Sequence, residues 1–543
     1  MTQVVNYRSP NGSRFPVKWS SAKTSKDRWY WDQVHNPTPL TPLAQDLIAI
    51  KRQGMYKGGE ITGRPFHEER IYANGYGFSR TVKATSGEAK LALTRATNDS
   101  RKRIDHLVEL WESSYKPETE ALSLSIRNWA SSADSLDELI SGYSHLESAW
   151  RRCGELHTIA TGLAAVAMRQ FETFCRDRFG DEGTRVAVES VSGMPNMSVE
   201  SGKALWELSR RVLEKPSVAC LLRTETGSGF LNRLESVRDG REFHSEFDEF
   251  LTKWGHRNES YYEIEYETWI EDPEFVLVTL RRFIETPECQ SPAALHDRAK
   301  RVRGARTEIV RNILNGSGDL KKFLSMQSRA QQHTILMEDH NYFIDQRAYT
   351  SLRIPHQAIG TLMVEAGALD HKNDVFFLHA DEIKAHTGSP SQTYQSLIKK
   401  RRSERMSWMH VLPPPYIGGD APLANVTTPN ETRTIRRTLT GSPASAGSAH
   451  GTARVILSLD DAHRLDAGDV LVTYASAPPW TPLFSIASAV VTDVGGPLAH
   501  CAIVAREYGI PAVVGVNSAT TEIQDGDMIS VDGTSGVVTI HRN

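Results

Sequence analysis

A glycine pair and a single histidine, Gly495, Gly496 and His500, stand between a Val-rich run and an apolar segment, Leu498 to Tyr508, that reads as a helix closed by Gly509. Paired glycines permit positive φ and close backbone approach. A helix start offers unpaired N–H donors and a partial positive charge. An imidazole held there has a neutral nitrogen that is nucleophilic near pH 7, and a phosphoryl group attached to it would be stabilised by those donors and readily passed onward. Taken alone, the same spacing also suits a capping or core histidine, and these few residues leave both readings open.

The elements that must position this ring come from the last hundred residues. "GTARVILSL", "DVLVTYA", "SAVVTDV", "IPAVVGV", "DMISVDG" and "GVVTIH" are short β-branched runs separated by Gly-Asp, Gly-Gly and Gly-Thr turns, which predicts a small α/β (β/β/α) domain. Val490 to Val494 is its expected buried strand. Before it the period is helical. In "SRKRIDHLVELWESSY" Ile104, Leu107, Leu110 and Trp111 fall on one helix face, Ser135 or Asp137 could cap a second helix, and Gly180 could end a third. "QHTILMEDHNYFIDQRAYTSLRI" predicts a further long helix, kinked or ended by Pro355. Residues 1 to about 80, rich in Pro, Gly and aromatics, predict a few short strands and ordered loops. The fold class is therefore multidomain: an entry segment at 1–84 packed on a large, mainly α-helical substrate domain at 85–410, a Pro/Gly/Ser/Thr-rich linker at 411–437, and the α/β domain at 438–543.

Bulk properties exclude several classes. Among 543 residues, 24% are charged with a formal net charge of -3, so no global field recruits nucleic acid or an anionic membrane. The five scattered cysteines include no Cys-x-x-Cys pair, which argues against a zinc ribbon or disulfide framework and fits a reducing cytoplasm. No secretory signal and no membrane-length apolar run is read. A cytoplasmic location is expected.

The longer string "TDVGGPLAHCAIVAREYGIPAVVGV", with "GSPASAGSAHGTARVI" before it and "IQDGDMISVDGTSGVVTI" after it, resembles the phosphohistidine swivelling domain of phosphoenolpyruvate-utilising enzymes. The resemblance covers about residues 438 to 540. It implies that His500 is phosphorylated during turnover. Gly495 and Gly496, which allow close backbone approach, are the expected phosphate-binding positions, and Arg506 could either steady the phosphate or form a surface ion pair with Glu507 or another acid. Relatives with a hydroxyl residue shortly before the histidine differ here, where Leu498 and Ala499 stand. "DRWYWDQVHNPTPLTPLA", "FLTKWGHRNESYYEIEYETWIEDPEFVL" and "RAYTSLRIPHQAIGTLMVEAGALDHKNDVFFLHADEI" resemble blocks of the helical substrate-binding domain of rifampin phosphotransferases and of phenylphosphate synthase-like proteins.

In those families phosphate moves from an ATP-grasp domain to a substrate hydroxyl. No segment of this chain offers the sheet, helices and glycine-rich loop of an ATP-grasp module. The resemblance therefore implies a separate ATP-grasp partner that carries ATP and Mg2+, with no metal assigned to this chain. The acceptor is expected to be a small hydroxyl compound. Trp29, Trp31, Tyr261, Tyr262, Tyr342 and Phe343 would suit an aromatic or apolar one, or serve as ordinary core. Candidates in the helical domain for the general base or substrate contacts are His256, Arg257, Glu263, Glu338 and His340. Glu338 and His340, two residues apart, should diverge on a helix. Two other functions remain open: a dehydratase or ligase working through a phosphorylated intermediate, and a non-catalytic phosphocarrier or regulatory module.

Overall fold

The computed structural model describes residues 3–10, 12–21, 24–64, 66–83, 94, 102–132, 135–225, 227–386, 392–423, 438–497 and 499–541. Packing divides the chain into two compact units. One comprises Met1–Leu163, Ser260–Tyr266 and Phe343–Arg433, the other Ala164–Glu259, Glu267–Tyr342 and Thr434–Asn543. The strand-rich end of the chain thus shares a unit with the helices between 164 and 342.

In the first unit β1 (Gln3–Arg8) and β2 (Arg14–Trp19) pair antiparallel with Val5 opposite Val17. Alternation puts Phe15, Val17 and Trp19 on one buried face. A second sheet, in the order β4-β5-β3-β6, joins β3 (Trp29–Trp31), β4 (Phe66–Ala73), β5 (Tyr76–Lys83) and β6 (Tyr416–Ile417). Asn74 and Gly75 turn β4 into β5 with φ of 53° and 84°. A two-residue hairpin of the type I′ class needs positive φ at both positions, which Asn-Gly supplies. Of the segment 411–437 read as linker, Tyr416–Ile417 belongs to this sheet, and residues 424–437 lie outside the described residues.

The expectation of strands and loops alone before residue 80 is corrected by a 20-residue helix, Pro42–Ile61. Its density of Pro and Gly disguises it. Pro42 occupies the first helical position, where its missing N–H costs nothing. Two of its glycines are contact surface: a Cβ on Gly54 would lie 1.7 Å from the Arg151 carbonyl oxygen, and one on Gly58 2.6 Å from that of Glu155. Leu43, Leu47 and Ile50 fill the core beside them.

Ser135 caps Leu136–Ser141, its Oγ accepting from the Glu138 N–H at 3.3 Å, and Gly180, at φ 57°, stands where the helix Tyr143–Phe179 stops. Pro355 neither kinks nor ends the long helix before it. That helix, Gly318–His340, widens into π turns at Asn341–Ala348, and Pro355 sits in the first turn of a later helix, Arg353–Glu365, a position proline tolerates.

The second unit packs the helices Met197–Leu213, Gly240–Trp254, Glu274–Glu285, Pro292–Leu314 and Gly318–His340 with the C-terminal sheet. Phe171, Val186, Val310, Leu314 and Phe323 form one of its cores. All six expected strands are present, as β9 (Ser448–Val455), β10 (Val470–Thr473), β11 (Ala489–Thr492), β12 (Ala512–Val514), β13 (Met528–Asp532) and β14 (Val537–His541), and β7 (Thr438–Thr440) and β8 (Ser442–Ser445) complete the sheet. Its order is β7-β14-β13-β9-β10-β11-β12-β8, with β9 to β12 parallel. β10, β11 and β12 are buried along their whole length, the usual reason that parallel strands read as continuous apolar runs.

Candidate functional site

The crossover from β11 to β12 delivers the histidine. After Thr492 the chain passes through Gly495 at φ 123°, a conformation that L side chains rarely adopt, where a Cβ would also meet that of Ala499 at 3.3 Å. His500 is the first residue of the helix His500–Tyr508, and Gly509, left-handed at φ 60°, ends it. Leu498, expected inside this helix, lies outside the described residues.

The imidazole reaches out of its own sheet module to a residue of the long helix Gly318–His340. Its Nδ1 lies 2.9 Å from Glu338 Oε2, which also accepts a 2.9 Å hydrogen bond from Ser198 Oγ. A carboxylate at this distance accepts a hydrogen bond, so Nδ1 is the donor of this pair. Nε2 faces Thr481 Oγ1 at 3.3 Å, but the Thr481 hydroxyl has a shorter partner in the Pro478 carbonyl at 2.7 Å. Only 1% of the His500 side chain and 0% of that of Glu338 is exposed. Glu338 Oε1 is buried with no hydrogen-bond partner among the described residues.

Two helices begin at this place. Ser198 is in the first turn of Met197–Leu213, which Asn196 caps by accepting from the Val199 N–H at 3.0 Å. The Met197 N–H donates to Asp339 Oδ1 at 2.9 Å. The N-terminal dipole of that helix and of the His500 helix both favour negative charge here.

Further contacts hold the sheet module against the helices of its unit. Arg282 pairs with Asp466 at 2.6 Å and donates to the His463 carbonyl. Glu259 Oε2 accepts from Ser458 Oγ at 3.0 Å and from the Leu459 N–H at 3.1 Å, and burial pushes its carboxyl above the usual range. Glu507, fully buried, accepts from the Met194 N–H, and burial raises its carboxyl far above the ordinary value.

The other sequence candidates lie elsewhere. Arg506 is buried and donates to the Ala444 carbonyl at 3.0 Å, bracing β8, and burial depresses its pKa. Arg257 is boxed by the rings of Trp254, Trp269 and Tyr342 and donates to Ser201 Oγ at 3.1 Å. His256 beside it is half-buried. Glu263, in the first unit, accepts from the Thr41 N–H at 2.7 Å and its Oγ at 2.8 Å, so it anchors the start of Pro42–Ile61. His340 and Glu338 do diverge: His340 Nδ1 turns back to the Leu336 carbonyl of its own helix at 3.3 Å. Trp29, Trp31, Tyr262, Tyr342 and Phe343 are buried in the core. Sequence reasoning missed Ser198 and Thr481. The Asn-Met-Ser start of a helix was the signal for the first, and nothing local marks the second.

Residues 156–336 match the Rifampicin phosphotransferase fourth domain, and residues 465–536 match the PEP-utilising enzyme mobile domain. The chain is similar to Chondramide synthase cmdD of Chondromyces crocatus, 31% identical over 98% of this chain and 14% of that protein. It is similar to the Uncharacterized phosphotransferase YvkC of Bacillus subtilis (strain 168), 26% identical over 80% of this chain and 52% of that one. To the Rifampicin phosphotransferase of the same organism it is 29% identical, over 66% of this chain and 42% of the relative. The chain thus spans about half or less of the length of these curated relatives. No helix among the described residues is long and apolar enough to cross a membrane.

Proposed function

We propose, from the premise that the chain belongs to the PEP-utilising enzyme family through its mobile domain at 465–536 and its Rifampicin phosphotransferase fourth domain at 156–336, that it is the carrier and acceptor component of a phosphotransferase. His500 takes a phosphoryl group from a separate ATP-grasp protein holding ATP and Mg2+. The group then passes to the hydroxyl of a small organic acceptor bound among the helices. We expect the reaction in the cytoplasm, a compartment that suits the five free cysteines.

The contact between His500 Nδ1 and Glu338 Oε2 is the observation that carries this reading. It supports a tautomer with the proton on Nδ1, in which Nε2 is the nucleophile. On loading, the Nε2 lone pair bonds to phosphorus and the donor's leaving oxygen departs with the P–O electrons. In the loaded ring a proton on Nδ1, held by the Glu338 carboxylate on docking, lets the imidazole leave as a neutral group. Phosphoryl transfer asks little of a protein beyond positioning and charge. The two helix starts, with the Gly495–Gly496 backbone, supply charge for the dianion.

The test mixes the chain with an ATP-grasp partner and phosphorus-labelled ATP. Acid-labile, alkali-stable label is expected on the wild type and absent from His500→Ala. Equal labelling of both removes His500 from the reaction.

A further inference from the structure

His500 and Glu507 stand two turns apart on the helix His500–Tyr508 and so share one face of it. That face is seated on the helices of the second unit. His500 Nδ1 meets Glu338, and Glu507 Oε2 accepts from the Met194 N–H. Glu507 is wholly buried, and its Oε1 has no hydrogen-bond partner among the described residues. Both guanidinium groups that bear on it are spent on carbonyl oxygens, Arg506 on that of Ala444 at 3.0 Å and Arg303 on those of Ser192 and Gly193 at 2.7 and 2.6 Å. The other titratable groups around it are Glu338, Tyr508 and His296, whose ring faces the Glu507 backbone with Lys203 and Lys300 beside it. One N–H donor is poor compensation for a carboxylate charge in a dry interior, whereas the neutral acid is easily kept there.

We infer that Glu507 is a positioning residue for His500, and that seating of the sheet module moves one proton from solvent onto the Glu507 carboxylate, which departure of the module gives back. This rests on the mobile-domain reading and is indifferent to what His500 carries. Because the two side chains share a face, the module does not free the histidine without wetting the acid. On seating, water or buffer acid gives up the proton and a carboxylate lone pair takes it; on departure that O–H bond breaks and the proton returns to solvent. Above the ordinary carboxyl range the freed acid has lost a proton that the seated one keeps, so the freed population grows as pH rises. His296 works in the opposite direction. Burial lowers its pKa from 6.5 to about 4, so between those values a freed ring binds a proton that the seated ring refuses, and the freed population grows as pH falls. The two effects offset each other between about pH 5 and pH 6, and above about pH 6.5 the acid alone sets the slope.

The test uses the whole chain and needs neither a partner nor phosphate. Modification of His500 by diethyl pyrocarbonate is followed by mass spectrometry of its peptide from about pH 6.5 to pH 8, in the wild type and in Glu507→Gln, which keeps the shape of the neutral acid. Dividing the wild-type rate by the variant rate at each pH removes the pH dependence of the reagent and of the imidazole itself. The ratio is expected to climb by about threefold or more per pH unit, towards the tenfold limit for one proton. Glu507→Met, equally unable to ionise, should give the same slope and serves if the first variant does not fold. A ratio that stays flat or falls with pH overturns the inference. Acid-labile label from ATP that is equal in His500→Ala and the wild type refutes the carrier reading instead, and leaves this slope unchanged.

Discussion

His500 Nδ1 and Glu338 Oε2, 162 residues apart in sequence, lie 2.9 Å apart inside one compact unit, and neither side chain is more than 1% exposed. The sheet module is therefore docked with its histidine sealed against the helices. On the proposed reading, departure of the module is the way in for a phosphoryl donor.

That departure can be eased. Arg282 ties the module through Asp466 and the His463 carbonyl, and all three are near the surface. Arg282→Glu sets two like charges together and should raise the open population about tenfold, the equivalent of about 1.4 kcal/mol. The rate at which diethyl pyrocarbonate modifies His500 reads this out. Adding Asp466→Arg should restore the wild-type rate.

The two glycines before the histidine should behave differently. Gly495 holds φ 123° with Ala499 close by, whereas nothing lies within 4 Å of a Cβ built on Gly496. Gly495→Ala should cost about 2 kcal/mol and slow phosphorylation of His500. Gly496→Ala should stay within about 0.5 kcal/mol of the wild type. Urea unfolding followed by near-ultraviolet circular dichroism measures both.

In an exposed helix, Gly→Ala stabilises by about 1 kcal/mol. At Gly54 the sign reverses, because the new methyl would meet the Arg151 carbonyl oxygen at 1.7 Å. Loss of about 3 kcal/mol is expected for Gly54→Ala, seen as a lower Tm.

Acid should weaken the first unit through His356. This ring is fully buried with Nδ1 donating to the Leu352 carbonyl at 2.6 Å and Nε2 accepting from Tyr143 Oη at 2.8 Å, and burial lowers its pKa from 6.5 to about 4. Between those values the unfolded chain binds a proton that the folded chain refuses, so stability rises with pH across this window and is lost as pH falls from about 6.5 towards 4. The full loss is about 3 kcal/mol at about 1.4 kcal/mol per pH unit. His356→Gln should flatten the dependence of the urea midpoint between pH 7 and pH 5, whatever its effect at pH 7.

The C-terminal sheet was legible because buried parallel strands carry their own signature: Val490, Val491, Val513 and Val514 alternate with nothing polar, and Gly509 can end a helix where few other residues can. The Pro42–Ile61 helix was not legible, because glycines selected for close contact with a facing helix look like loop residues until that neighbour is known. The site divides the same way. Glu263 and Glu338 are indistinguishable as isolated acidic residues in family-like blocks, yet one anchors Thr41 and the other meets His500. Local sequence showed that each is polar within an apolar setting. Tertiary contact decided which of them meets His500, and brought in Ser198, marked only by the capped start of its helix, and Thr481, which nothing local marks.

Phosphohistidine is labile towards water, and the near-total burial of the His500 ring bears on coupling. If His500 carries the phosphoryl group as proposed, a loaded ring is shielded from hydrolysis while the module stays seated, and leakage is confined to the intervals of transit. On that reading, variants that loosen the docking should turn over faster and also lose a larger fraction of the phosphoryl groups they receive, which makes tightness of docking a setting between throughput and fidelity.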